Sequence, residues 1–141
     1  MKNLLPLKLI AISSIMMLIF ITQGMAQENK KVERAEKKFC NSVTSFVTAL
    51  EVLDEANTSY SMDEFNAAYK KAEKAWNKLV KSADKLEKVE IKESVKAYNK
   101  MVDAINEIEG DAKTAETTDQ INSHIDATAD EIADILTVVC K

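Results

Sequence analysis

Glycine and proline are almost missing from this 141-residue chain, which holds two Gly and one Pro. Pro6 and Gly24 both precede residue 27, so Gly110 is the lone Gly or Pro of the remainder. A β-rich domain would need several Gly or Pro turns, so the scarcity argues against a sandwich or barrel. Histidine is scarcer still: His124 stands alone. Di-iron bundles need Glu-x-x-His pairs on two helices, and one histidine excludes that class. With two cysteines in all, Cys40 and Cys140, the chain has no zinc motif and no CxxCH haem-attachment motif. A Gly-rich phosphate loop is absent, as is a Ser or Cys nucleophile set beside a base.

Long apolar runs are also lacking, with one exception. Leu9 to Ile21 is apolar, Lys2 and Lys8 supply positive charge before and at its start, and Gly24, Met25 and Ala26 offer a small-x-small cleavage site. That layout reads as a secretory signal over residues 1–26. The run falls short of the roughly 20 residues of a membrane span; an uncleaved N-terminal anchor is the competing reading. No cysteine follows closely enough for lipid attachment. The expectation is an exported protein, periplasmic or extracellular, whose mature part, 27–141, is one domain with no membrane segment after cleavage.

What the chain does hold is charge and helix formers: Asp, Glu, Lys and Arg make up 30% of it, and Ala is abundant. Removing Lys2 and Lys8 lowers the 19 basic residues to 17 against 23 acidic ones, a net charge of −6. Such a balance disfavours nucleic acid and anionic membrane surfaces as partners. In an exported chain the two cysteines read as one disulfide, Cys40–Cys140, closing nearly the whole mature sequence.

The pattern predicts an all-α, up-down-up-down four-helix bundle with coiled-coil-like seams, its helices at about 30–53, 61–87, 91–109 and 118–140. The second is the most legible. Phe65, Tyr69, Ala72, Trp76, Leu79, Ala83 and Leu86 recur at spacings of four and three, one face of a helix. Ser61 suits its N-cap, Glu64 can reach back to the Ser61 amide, and Tyr60 with Phe65 form a staple. The first helix carries Val32, Phe39, Val43, Phe46, Leu50 and Leu53, and the polar run 54–60 reads as a connection. Within that run Asn57, Thr58 and Ser59 match an N-glycosylation sequon, which has meaning only in a eukaryotic source.

Beyond Leu86 the rhythm changes phase, restarting through Ile91, Val95, Tyr98, Val102, Ile105 and Ala112. Either a tight turn or a stuttered continuous helix explains this. A turn at 88–90 is preferred, because a helix from Met62 to Glu109 would extend about 70 Å at 1.5 Å per residue. Gly110 suits a helix C-terminus. Thr117, with Gln120 three residues on, suits the cap of a last helix whose seam is Ile121, Ile125, Thr128, Ile132, Ile135 and Val139. Up-down order brings Cys40 and Cys140 to the same end.

Candidate sites are few. Met62 and His124, both at one end of such a bundle, form a geometrically possible haem or metal pair of the His and Met type. Asp119, Asp126, Asp130 and Asp134 make an acidic stripe opposite the last helix's seam, and Lys70, Lys74, Lys78, Lys81 and Lys85 make a basic stripe on the second, continued by Lys88. Residues 62–100 hold ten Lys against seven acids, and 101–141 hold two Lys against ten, so the molecule is expected to be dipolar. No catalytic residue and no cofactor is implied. The reading is an exported, non-enzymatic interaction module, whose partner is another exported protein or a second copy met through opposite charged faces. The alternative is a small-molecule or haem carrier using the interior near Met62 and His124.

Overall fold

The computed structural model describes residues 4–59, 61–108 and 114–140, with side chains from Gln27 onward. Four helices account for it: α1 (Leu4–Thr58), α2 (Met62–Ala83), α3 (Lys92–Asn106) and α4 (Ala115–Val139). Among the described residues there is no strand. The chain divides into two compact units, Met1–Arg34 and Ala35–Lys141. The first is a length of α1 whose described side chains, Gln27 to Arg34, are all exposed. The side chains that carry the signal-sequence reading lie outside the described residues, as do Tyr60 of the expected staple, Gly110 and Ala112. Among the residues whose side chains are described, no helix is long and apolar enough to cross a membrane.

The second unit is the bundle, and its contacts fix the order of the helices around the core. Ser42 and Ser82 hydroxyls meet at 3.0 Å, and the Phe46 and Trp76 rings lie 5.2 Å apart, so α1 and α2 are antiparallel neighbours. The Trp76 and Tyr98 rings stack at 4.3 Å, joining α2 to α3. Helices α3 and α4 pack along their lengths. The Cys40–Cys140 disulfide, with Cα atoms 5.6 Å apart, and the Asn57–Asn122 hydrogen bond close the ring between α4 and α1, again antiparallel. Each helix thus runs opposite to its two neighbours, in up-down-up-down order, with α2 and α4 on one diagonal and α1 and α3 on the other.

The core follows from the seams. Phe39, Val43, Phe46, Leu50 and Leu53 of α1 are fully buried, as are Phe65, Ala72 and Leu79 of α2 and Ile132 of α4. Each large side chain so buried contributes about 1.5–3 kcal/mol. Phe46, Trp76 and Tyr98 form an aromatic centre spanning three helices.

Several boundaries and seam positions differ from those expected. Helix α1 starts before Lys30 and runs past Leu53 to Thr58. No Gly or Pro interrupts 26–58, and Asn57, read as loop, is completely buried in the last turn. Val32, expected on the seam, is instead 51% exposed and belongs to the first unit. Helix α2 ends at Ala83 rather than near 87. Its tail tightens into short turns, with the Leu86 amide donating to the Ala83 carbonyl at 2.9 Å and Val89 to Leu86 at 3.4 Å. Leu86, Val89 and Ile91 press against the core, so apolar anchors, not glycine, turn the chain over 84–91. The expected break is therefore present and longer than a tight turn. Helix α3 stops at Asn106 rather than near 109. It buries Tyr98 and Ile105 as expected and, beside them, Ser94 and Met101, while the expected Val95 and Val102 are partly buried against the core.

Caps decide the remaining starts. The Ser61 hydroxyl accepts from the Glu64 amide at 3.4 Å, as expected. The Ser61 amide, however, donates to the Ser59 hydroxyl at 3.5 Å, the nearby oxygen taking the place expected for the Glu64 carboxylate. Helix α4 begins at Ala115, three residues earlier than expected. Its N-cap is Thr114, whose hydroxyl accepts from the Thr117 amide at 3.2 Å while the Thr117 hydroxyl accepts from the Thr114 amide at 2.9 Å. Thr117 is the second half of the capping box rather than its cap.

Candidate functional site

The basic stripe is built on α2. Phe65, Ala68, Ala72, Trp76, Leu79 and Ala83 hold one face against the core, so residues half a turn away must face water. Lys70, Lys74, Lys78 and Lys81 are all exposed, and Lys85 continues them into the following turn. Alanines on the inner face let the helix seat closely, while the lysines stand on its convex side. Helix α4 repeats the design with the other sign. Its seam buries Thr118, Ile121, Ile125, Thr128, Ile132 and Ile135, and Asp119, Asp126, Asp130 and Asp134 are exposed on the opposite face. No Lys or Arg interrupts α4. The spacing of four continues from Asp134 to Val138, which is 71% exposed, the barest of the large apolar side chains described.

Since α2 and α4 occupy one diagonal, the two stripes point to opposite corners and cannot neutralise one another within a molecule. Among the described residues the one ion pair is Lys96–Glu93 on α3, at 2.8 Å and exposed. The Lys96 ammonium, through its hydrogen bond and charge, holds the Glu93 carboxyl below the usual carboxylate range. The charged stripes are thus solvated surfaces with no described intramolecular partner.

The interior offers ring and hydrocarbon surface. Tyr98, buried and stacked on Trp76, has its hydroxyl pKa pushed up by desolvation, with Tyr69 and Glu73 adding to the rise. Tyr69, half-buried, is raised for the same first reason and by Glu73. Met62, at the first residue of α2, is half-buried and packs against the core. His124 is half-buried at the flank of the α4 seam, and its carbonyl accepts from the Thr128 hydroxyl at 2.7 Å. Both lie toward the end of the bundle opposite the disulfide. Neither lines either of two clefts formed by the described residues. One, of about 450 Å³, lies between the start of α3 and the end of α4, lined by Val89, Glu93, Ser94, Asp134 and Val138 among others. The other, of about 370 Å³, is a shallow groove between α1 and α2 over Val52, Ala56, Ala67 and Ala68. Among the described residues no group of three or more His, Cys, Asp or Glu side chains converges as a metal site would require.

Sequence reasoning missed one polar cluster. Asn57 Nδ2 donates to the Thr118 carbonyl at 3.0 Å and to Asn122 Oδ1 at 2.6 Å, bridging α1 to α4 in the core. The amide nitrogen of the sequon is therefore buried and committed in the folded protein. A polar residue with no apolar rhythm gives no signal of burial; its described partners come from 61 and 65 residues away. Cys40 and Cys140, in contrast, are paired as expected, at the bundle end that also holds Ser42 and Ser82. Comparison with protein-family models, with curated proteins and with solved structures finds no match to this chain.

Proposed function

We propose that the chain is an exported, non-enzymatic binding module that meets its partner through its charged outer faces. The observation that carries this is the placement of the two stripes: a lysine face on α2 and an aspartate face on α4, on diagonal helices, with no ion pair to either among the described residues. Charges so arranged steer encounters and give salt-sensitive specificity. The disulfide fits an oxidising compartment, which supports export. Acid–base chemistry would need titratable groups that converge in a concave pocket. Here Asp119, Asp126 and Asp130 stand on the outer face of α4; Glu131 and Asp134 line the open cleft with Glu93, where no group of three or more His, Cys, Asp or Glu side chains converges among the described residues.

The test is capture from the exported fraction with the wild-type chain and with a K70E/K74E/K78E variant. A partner retained by the wild type at low salt, released by high salt and missed by the variant is the expected result. Capture that survives charge reversal, or a chain that binds nothing at low salt, overturns the reading. A Soret band that forms on haem addition and disappears in His124→Ala overturns it in favour of a carrier.

A further inference from the structure

The two charged stripes match in level as well as in sign. On α1, Cys40 meets Cys140 and, two residues on, Ser42 meets Ser82. Since α1 and α4 are antiparallel, Ser82 of α2 is level with about residue 138 of α4. Helices α2 and α4 run in the same direction, at the same rise per residue. Stepping back from Ser82 by four, eight and twelve residues reaches Lys78, Lys74 and Lys70; the same steps from Val138 reach Asp134, Asp130 and Asp126. Three lysines thus stand at the levels of three aspartates on the diagonally opposite corner, every one exposed.

We infer that the partner of the lysine face is the aspartate face of a second copy of this chain. The inference rests on the interaction reading above and names its partner. A neighbour displaced sideways along the α2–α4 diagonal, without rotation, sets Lys70, Lys74 and Lys78 opposite its Asp126, Asp130 and Asp134. Val138, in line with those aspartates, then meets the aliphatic stem of Lys81, whose ammonium can still reach water. Each copy uses one face as donor and the other as acceptor, so the contact is heterologous and a row of copies stays open-ended. The net negative charge of the chain opposes crowding, so association depends on concentration and is strongest where salt is dilute enough to leave the face-to-face attraction unscreened.

Sedimentation velocity on the disulfide-bonded protein tests this. The weight-average sedimentation coefficient is expected to rise with protein concentration at about 20 mM salt and to fall to the monomer value near 0.5 M. K70E/K74E/K78E alone and D126K/D130K/D134K alone are expected to be monomeric, and an equimolar mixture of the two to associate again, because each supplies the sign the other lost. A wild type that stays monomeric at low salt and high concentration overturns the inference. So does association that ignores either reversal, or a mixture that fails to reassemble, which would mark bulk charge rather than matched faces. A monomeric wild type that still captures a different exported protein, and loses it in the lysine variant, removes self-association while leaving the interaction module standing.

Discussion

At the scale of single residues, burial of polar atoms sets the most sensitive positions. Asn57 is completely enclosed and gives both described bonds of its amide nitrogen to α4. In Asn57→Ala the Thr118 carbonyl and Asn122 lose their partner inside a packed interior, a cost of about 1–3 kcal/mol. Urea unfolding followed by circular dichroism is expected to show the unfolding free energy lowered by that amount, read as a lower midpoint at an unchanged slope. Tyr98 makes the alkaline side of stability distinctive. Its hydroxyl pKa is raised in the folded state, first by desolvation, while in the unfolded chain it lies near the ordinary value of about 10. The neutral phenol is the form the fold favours, so the contribution is fully present below about pH 10 and declines as the pH climbs past it. Tyrosinate absorbance of Tyr98 is expected to appear together with loss of structure, and Tyr98→Phe to lessen that alkaline decline.

Among the elements, the starts and stops show which parts of the fold are written locally. The capping box of α4 joins two threonines, and Thr114→Ala removes the hydroxyl that accepts from the Thr117 amide. About 1 kcal/mol of stability is expected to go with it, read as a lowered melting temperature, with hydrogen exchange speeding first in residues 115–118. The seams of α2 and α4 are legible from the sequence because bulky residues recur there at helical spacing: Phe65, Trp76 and Leu79 in one, four isoleucines in the other. Helix α3 is less so. Val95 and Val102 suggest one face, yet Ser94 and Met101 are the buried pair. A small serine suits close approach of two backbones and a flexible methionine fills irregular space, properties a hydropathy rhythm does not weigh. The connection over 84–91 is visible in the sequence only as a change of phase, since the residues that bend it are apolar. The charged stripes are plain in the sequence. Their shared level is not, because it depends on which helices are neighbours and on how α1 aligns each of them.

For the whole molecule, the disulfide is the widest constraint. Cys40 and Cys140 are 100 residues apart in sequence, so the covalent loop encloses the core positions of all four helices except Phe39. Closing a loop of that length restricts the unfolded chain, and the cysteine-to-serine pair is expected to lose about 2–5 kcal/mol in chemical denaturation. The bridge also determines where tension travels. A pull applied through the residues before Cys40 and through the C-terminus passes across the sulfur–sulfur link and bypasses the chain between the two cysteines. In a single-molecule stretching experiment the oxidised chain should show no length released from between Cys40 and Cys140. After reduction the same pull should release roughly 100 residues of hidden length, about 350 Å of chain. Held in a row or tethered at its leading helix, the bundle would keep its charged faces in shape under load, with the disulfide acting as a mechanical bypass.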